Sequence, residues 1–118
     1  MRVFLSGPIT TGGISTAEAR RRFSLAERWA REKSPGCDVF NPMRQIGAEA
    51  DRASAMTRCL RVLCDMPKEP GEAMVLQLPG WRKSEGAALE AEAARQLGLE
   101  RRGVTLKELE DMDRWDGR

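Results

Sequence analysis

Residues 78–90 read LPGWRKSEGAALE, and they run from the end of an apolar segment, through a loop with Pro79, Gly80 and Gly86, into an alanine-rich helix. Stepping about 100° per residue along that helix puts Ala87, Leu89, Ala91, Ala93, Ala94 and Leu97 on one continuous arc, with Glu90 in its middle. Glu92, Arg95 and Gln96 fall on the opposite, wettable side. A carboxylate centred on a buried face costs free energy unless something uses it. Glu90 is therefore the first candidate for chemistry.

Working outward, residues 73–78 (AMVLQL) are the most continuously apolar segment and predict a buried strand feeding this loop. At the N-terminus, residues 2–6 (RVFLS) predict a first strand, followed by the glycine-rich loop GPITTGG at 7–13. Ser15 stands three residues before Glu18, a capping-box pattern that opens a helix running to about Lys33, where Ser34-Pro35-Gly36 stops it. Residues 37–40 predict a second strand, ended by Asn41-Pro42. A mixed loop then leads to a second helix over about 50–64, whose apolar face holds Ala53, Met56, Leu60, Leu63 and Cys64. Residues 102–105 predict a short fourth strand, and Thr105 a cap for a last helix with Leu106, Leu109 and Met112. The final residues, RWDGR, look frayed or partner-dependent.

Strands alternating with helices imply a parallel sheet covered on both faces. The expectation is an α/β fold: a single doubly wound, flavodoxin- or Rossmann-like domain over residues 1–118, with a four- to five-stranded parallel sheet ordered 2-1-3-4. In that order strands 1 and 3 are neighbours whose connections leave to opposite faces. Ligands bind outside the C-terminal strand ends at such a switch point. The loops at 7–13 and 78–86 meet there, with Glu90 in the second turn of the helix that leaves it.

Composition narrows the chemistry. The chain has no histidine, which removes the usual acid–base residue of neutral pH and every Ser/His/Asp or Cys/His arrangement. Three cysteines (Cys37, Cys59 and Cys64) without histidine make neither a zinc site nor a disulfide framework, so no metal and no cofactor are expected and the cysteines read as reduced core residues. A net charge of +2, spread along the chain, is too weak a field for nucleic-acid binding. No run of 18 apolar residues suggests a membrane span, and MRVFLSGPIT is interrupted too soon for a signal peptide. The expected setting is the cytoplasm.

Ser84 is a good N-cap, and Gly86 lets a ligand approach the first-turn amides, which favour anions and phosphate above all. From these residues alone a plain helix start with a serine cap is the stronger reading. Gly7, Ile9, Thr10, Gly12 and Gly13 offer a facing wall of amides or simply a tight turn; the sequence there is neither a Walker loop nor a GxGxxG fingerprint. Glu90 reads as a nucleophile, a general base, or a buried carboxylate held structurally. Burial pulls its pKa up and the helix N-terminus pulls it down. Asp51 belongs near the same rim as a helix-start carboxylate, and Asp65 at the opposite end of the sheet. Trp81 can stack on a ring or fill an interface. The run Arg20-Arg21-Arg22 reads as a solvated face or as a source of one phosphate contact.

Taken together, FLSGPIT at residues 4–10, Asn41-Pro42, Cys64-Asp65 and LPGWRKSEGAALEAEAARQLGL at 78–99 resemble the small DUF4406-type family of phages and bacteria, within the nucleoside 2-deoxyribosyltransferase-like superfamily. The resemblance covers nearly the whole chain and is most specific in LPGW-x-x-S-x-G-A-x-x-E. It implies that Glu90 attacks an anomeric carbon and that Ser84 and Gly86 hold a 5′-phosphate, with Asn41 and Trp81 among the substrate contacts. It also implies a nucleoside 5′-monophosphate ligand and a homo-oligomer. The serine at position 84, where transferases of free nucleosides carry an aspartate, favours a phosphorylated substrate. Two departures stand out. Phe4 occupies the place where relatives often carry a tyrosine, and Thr57 falls where they often carry a second catalytic aspartate. Asp51 and Glu85 remain as candidates for protonating a leaving group.

Overall fold

A computed structural model describes residues 1–9, 13–47 and 50–115. Its elements are β1 (Arg2–Ser6), α1 (Thr16–Lys33), β2 (Asp38–Phe40), α2 (Pro42–Gln45), α3 (Arg52–Asp65), β3 (Ala73–Gln77), α4 (Glu85–Leu97), β4 (Glu100–Gly103) and α5 (Leu106–Trp115), with one 3-10 turn at Trp81–Lys83. The four strands form one all-parallel sheet in the order β2-β1-β3-β4, as the alternating pattern predicts. Pairing of β1 with β3 runs from Arg2 opposite Ala73 to Ser6 opposite Gln77, and the Leu78 amide extends it with a 2.8 Å bond to the Ser6 carbonyl.

Side chains of β1 and β3 alternate between two cores. Val3, Leu5, Leu76 and Leu78 pack under α1 and α5 with Ala19, Phe23, Ala26, Leu109 and Met112. Phe4, Ala73 and Val75 pack under α3 and α4 with Cys59, Leu63 and Ala94. Phe4 also stacks on Phe40, ring centroids 5.2 Å apart. Helices thus cover both faces, and the chain is a doubly wound α/β domain. No helix among the described residues is long and apolar enough to cross a membrane.

Local signals explain most boundaries. Ser15 caps α1, its hydroxyl accepting the Glu18 amide. Gly98, at φ +76°, ends α4 in the left-handed region and sends its amide back to the last carbonyls. Thr105 and Glu108 form a reciprocal capping box at the start of α5, each side chain accepting from the other's backbone amide.

Several expectations need correction. The mixed loop after β2 contains a helix: Asn41 caps it and Pro42 takes its first position, where a missing N–H costs nothing. The second helix begins after Asp51 rather than at Ala50, and its buried residues are Cys59 and Leu63. Ala53 and Cys64 are exposed, while Met56 and Leu60 are half-buried. The apolar residues of α3 form a broader stripe than the sheet and α4 can cover. Cys64 is therefore a surface thiol, unlike Cys37 and Cys59, and all three are unpaired. Leu89 is 49% exposed, because the buried arc of α4 is narrower than its apolar arc and comprises Ala87, Glu90, Ala91 and Ala94. The fourth strand lies at Glu100–Gly103, two residues earlier than expected; all four of its residues are exposed at the sheet edge, so hydrophobicity could not reveal it. Helix α5 continues through Trp115 rather than fraying at Arg114.

Candidate functional site

Ser84 sits at the end of the 3-10 turn in extended backbone and caps α4, accepting the Ala87 amide at 3.3 Å. Its carbonyl takes the Ala88 amide at 2.8 Å, so the Glu85 and Gly86 amides lie ahead of the first intrahelical bond. Six residues after Ser84, Glu90 is 6% exposed, beneath the C-terminal end of β1. The Ser6 hydroxyl, at that strand end, donates to Glu90 Oε1 at 2.6 Å. From α3, Cys59 lines the same cavity as this carboxylate.

Ser84, Cys59 and Glu90, though not Ser6, border a cavity of about 410 Å³, a volume within the usual range of small-molecule sites. The β1–α1 loop contributes Gly7 and Ile9, and the start of α4 contributes Ser84, Glu85, Gly86 and Ala87, with Glu90 further in. The opposing wall comes from Pro42, Ile46 and Gly47 and from Ala55, Met56 and Cys59 of α3. Lys83 and Arg52 bring positive charge to the lining, and Arg52 is paired with the exposed Glu85 at 2.9 Å. Gly86 matters sterically: a Cβ built there stands 3.0 Å from Met56 Cε.

The electrostatics resolve the competition over Glu90. Burial pushes its carboxyl up to about 7, outweighing the Ser6 hydrogen bond that pulls it down. Burial, together with the charge of Glu90, pushes the Cys59 thiol up to about 12. Glu90 is thus poised between acid and anion near neutral pH, and Cys59 stays a thiol.

Of the residues singled out in sequence, the cavity brings together Gly7, Ile9, Ser84, Gly86 and Glu90. Thr10 and Gly12 lie outside the described residues. Gly13, at φ +77°, turns the chain toward α1 and does not line the cavity. Asn41 does not line it either. Its side chain accepts the Met43 amide at 3.0 Å and donates to Glu27 at 3.0 Å. Burial pushes Glu27 up, but hydrogen bonds from Arg31, Asn41 and Arg44 win and hold it below the usual range. Trp81 is half-buried outside the cavity, with the Arg82 guanidinium 4.6 Å from its ring centroid. Asp51 caps α3 through the Ser54 amide, and Asp65 ends that helix. Arg21 and Arg22 bind Glu18 on α1.

Sequence reasoning passed over Ser6, Cys59, Met56, Arg52 and Lys83. Ser6 carries a readable signal: it shares a strand face with Phe4 and is the last residue of β1, at the end of the sheet where ligands bind. Cys59 carries a weaker one, lying one turn before Leu63 on the buried side of α3. Among the described residues no cluster of three or more Cys, Asp or Glu side chains could hold a metal ion.

A family model described as "Domain of unknown function (DUF4406)" matches residues 1–101. Neither a curated protein nor a solved structure matches the chain.

Proposed function

The chain belongs to the DUF4406 family, and on that footing we propose that it cleaves the N-glycosidic bond of nucleoside or deoxynucleoside 5′-monophosphates. One observation carries the reading. A buried carboxylate, Glu90, follows the helix-capping Ser84 by six residues and borders the same cavity at the switch point of a parallel sheet. The likeness to the nucleoside 2-deoxyribosyltransferase-like superfamily, set out above from the residues, supports the same assignment.

In this reading the 5′-phosphate lies against the Glu85 and Gly86 amides and the Ser84 hydroxyl, with Lys83 and Arg52 supplying positive charge. Anchoring the phosphate fixes the anomeric carbon near Glu90. A Glu90 oxygen bonds to that carbon as the C–N bond breaks, and the bonding pair leaves on the base nitrogen, which takes up a proton. Water then adds to the anomeric carbon and releases Glu90. The products are free base and sugar 5-phosphate. This is the double displacement of retaining glycosidases applied to a nucleobase leaving group. Unpaired cysteines suit a reducing, cytoplasmic setting. The homo-oligomer implied by the resemblance belongs to the same proposal and is read by light scattering.

Incubation with a panel of ribo- and deoxynucleoside monophosphates, followed by chromatography for free base, tests the activity. Release that disappears in Glu90→Ala supports it, and release unchanged in that variant sinks the nucleophile assignment. Sugar captured by an added base faster than by water selects the transferase reading. One observation favours a third reading, binding without turnover: the other carboxylate among the described cavity residues, Glu85, is exposed and paired with Arg52. Saturable nucleotide binding with no base released from any substrate would establish it.

A further inference from the structure

We infer that Ser6 is a positioning residue that clamps the Glu90 carboxylate from the end of β1, holding it oriented and available as an anion in an otherwise apolar wall. The inference rests on the proposed role of Glu90 for its catalytic meaning, but the Ser6–Glu90 contact stands on geometry alone.

The three residues come from three elements that only the fold brings together. Ser6 ends β1 and is 1% exposed, Cys59 lies midway along α3 and is 5% exposed, and Glu90 is in the second turn of α4. At 2.6 Å the Ser6–Glu90 bond is in the short range of hydroxyl–carboxylate contacts. A serine hydroxyl donates one hydrogen, and here the acceptor is a carboxylate that burial drives toward protonation. The Cys59 thiol, which lines the same cavity, stays protonated across the physiological range and so brings no second charge to Glu90. Among the described residues no guanidinium or ammonium forms an ion pair with Glu90. Among the described residues the other charged groups of the cavity are Arg52 on α3, Lys83 before α4 and Glu85 at its start; Arg52 is turned to Glu85. A neutral donor, Ser6, therefore does the work that a cation often does at a buried carboxylate. It holds the ion without neutralising it, which leaves the carboxylate its nucleophilicity.

Titration of Glu90 tests this directly. Carbon-13 NMR of carboxyl-labelled glutamate, with the Glu90 resonance identified by its absence in Glu90→Gln, reads the midpoint whether or not the protein turns anything over. Ser6→Ala should raise the Glu90 midpoint by roughly one pH unit. Ser6→Thr, which keeps the hydroxyl, should return it close to the wild-type value. The acid limb of base release should move with the midpoint, with kcat falling more than KM rises, because orientation rather than binding is lost. A midpoint unchanged in Ser6→Ala, or equally displaced in Ser6→Thr, overturns the clamp. Should the alanine variant fail to fold, Ser6→Cys, a weaker donor at the same place, should raise the midpoint by a smaller amount, and an unchanged midpoint there overturns the clamp. Midpoints that move as expected in a protein releasing no base leave the clamp standing and refute the glycosidase reading instead.

Discussion

Gly7 lies so close to Leu78 that a Cβ built on it would stand 2.7 Å from Leu78 Cβ. This near-contact joins the two loops that border the cavity, the one leaving β1 and the one leaving β3. Leu78 Cβ is fixed to the backbone and cannot swing away. Gly7→Ala should therefore cost about 1–3 kcal/mol through a forced backbone shift. Urea unfolding measures it, and an alanine variant as stable as wild type would show that the loops have room to part.

Glu90 should make the protein less stable as the pH rises. Its folded-state pKa, about 7, lies above the model-compound value of 4.5. Between those values the unfolded chain gives up its proton more readily than the folded one, so stability falls as pH climbs through the window and is highest below it. The full span corresponds to about 3 kcal/mol. Glu90→Gln should unfold at higher urea than wild type at pH 8, and the gap should close near pH 4. An equal gap at both values would mean that the carboxylate is not desolvated.

Base release should follow the same ionisation. A nucleophile must be an anion, so kcat/KM should fall about tenfold per unit below about pH 7. A profile flat down to pH 5 would remove Glu90 from the chemistry.

Gly86→Ala should separate folding from ligand binding. The new methyl meets Met56 Cε at 3.0 Å, the far end of a flexible side chain that can move. An alanine in the first helical turn should leave stability within about 1 kcal/mol of wild type. The displaced methionine and the added methyl narrow the cavity beside the phosphate position, and calorimetry should show nucleoside-monophosphate affinity reduced by roughly tenfold. Unchanged affinity would place the ligand elsewhere.

Differential alkylation should rank the cysteines. Cys64 is exposed, whereas Cys59 is buried with its thiol pushed up to about 12. At pH 8 Cys59 should react on the order of a thousandfold more slowly than an ordinary thiol. Glu90→Gln removes a charge that holds the thiol protonated and should speed labelling of Cys59. Peptide mass spectrometry reads both effects, and Cys59 labelling ahead of Cys64 would contradict this arrangement.

The legibility of the sequence divides along physical lines. β1 and β3 were readable because they are buried on both faces and so nearly continuously apolar. β4 was misplaced because an edge strand with four exposed residues carries no such signal. Glu90 was readable because a carboxylate breaks an apolar arc. Its partner Ser6 was not marked out, because a serine ending a strand looks like loop chemistry until the topology sets α4 over it. Asn41 was noticed for its proline neighbour, and the local hydrogen bonds that use its side chain explain that pairing without the cavity. The face of α3 was read too wide, since periodicity reports which residues are apolar but not how much of them a neighbour can cover.

Helix α5 lies beyond the residues matched by the family model and packs on α1, across the sheet from α4. Leu109 and Met112 close a core that shares no buried side chain with the one holding Cys59. The molecule is in this sense two-sided, with its buried carboxylate on one side and α5 on the other. A fusion, a tag or a remodelled helix at the α5 end meets the back of the sheet first, which makes that end the natural handle for engineering or immobilising this domain with its cavity left open.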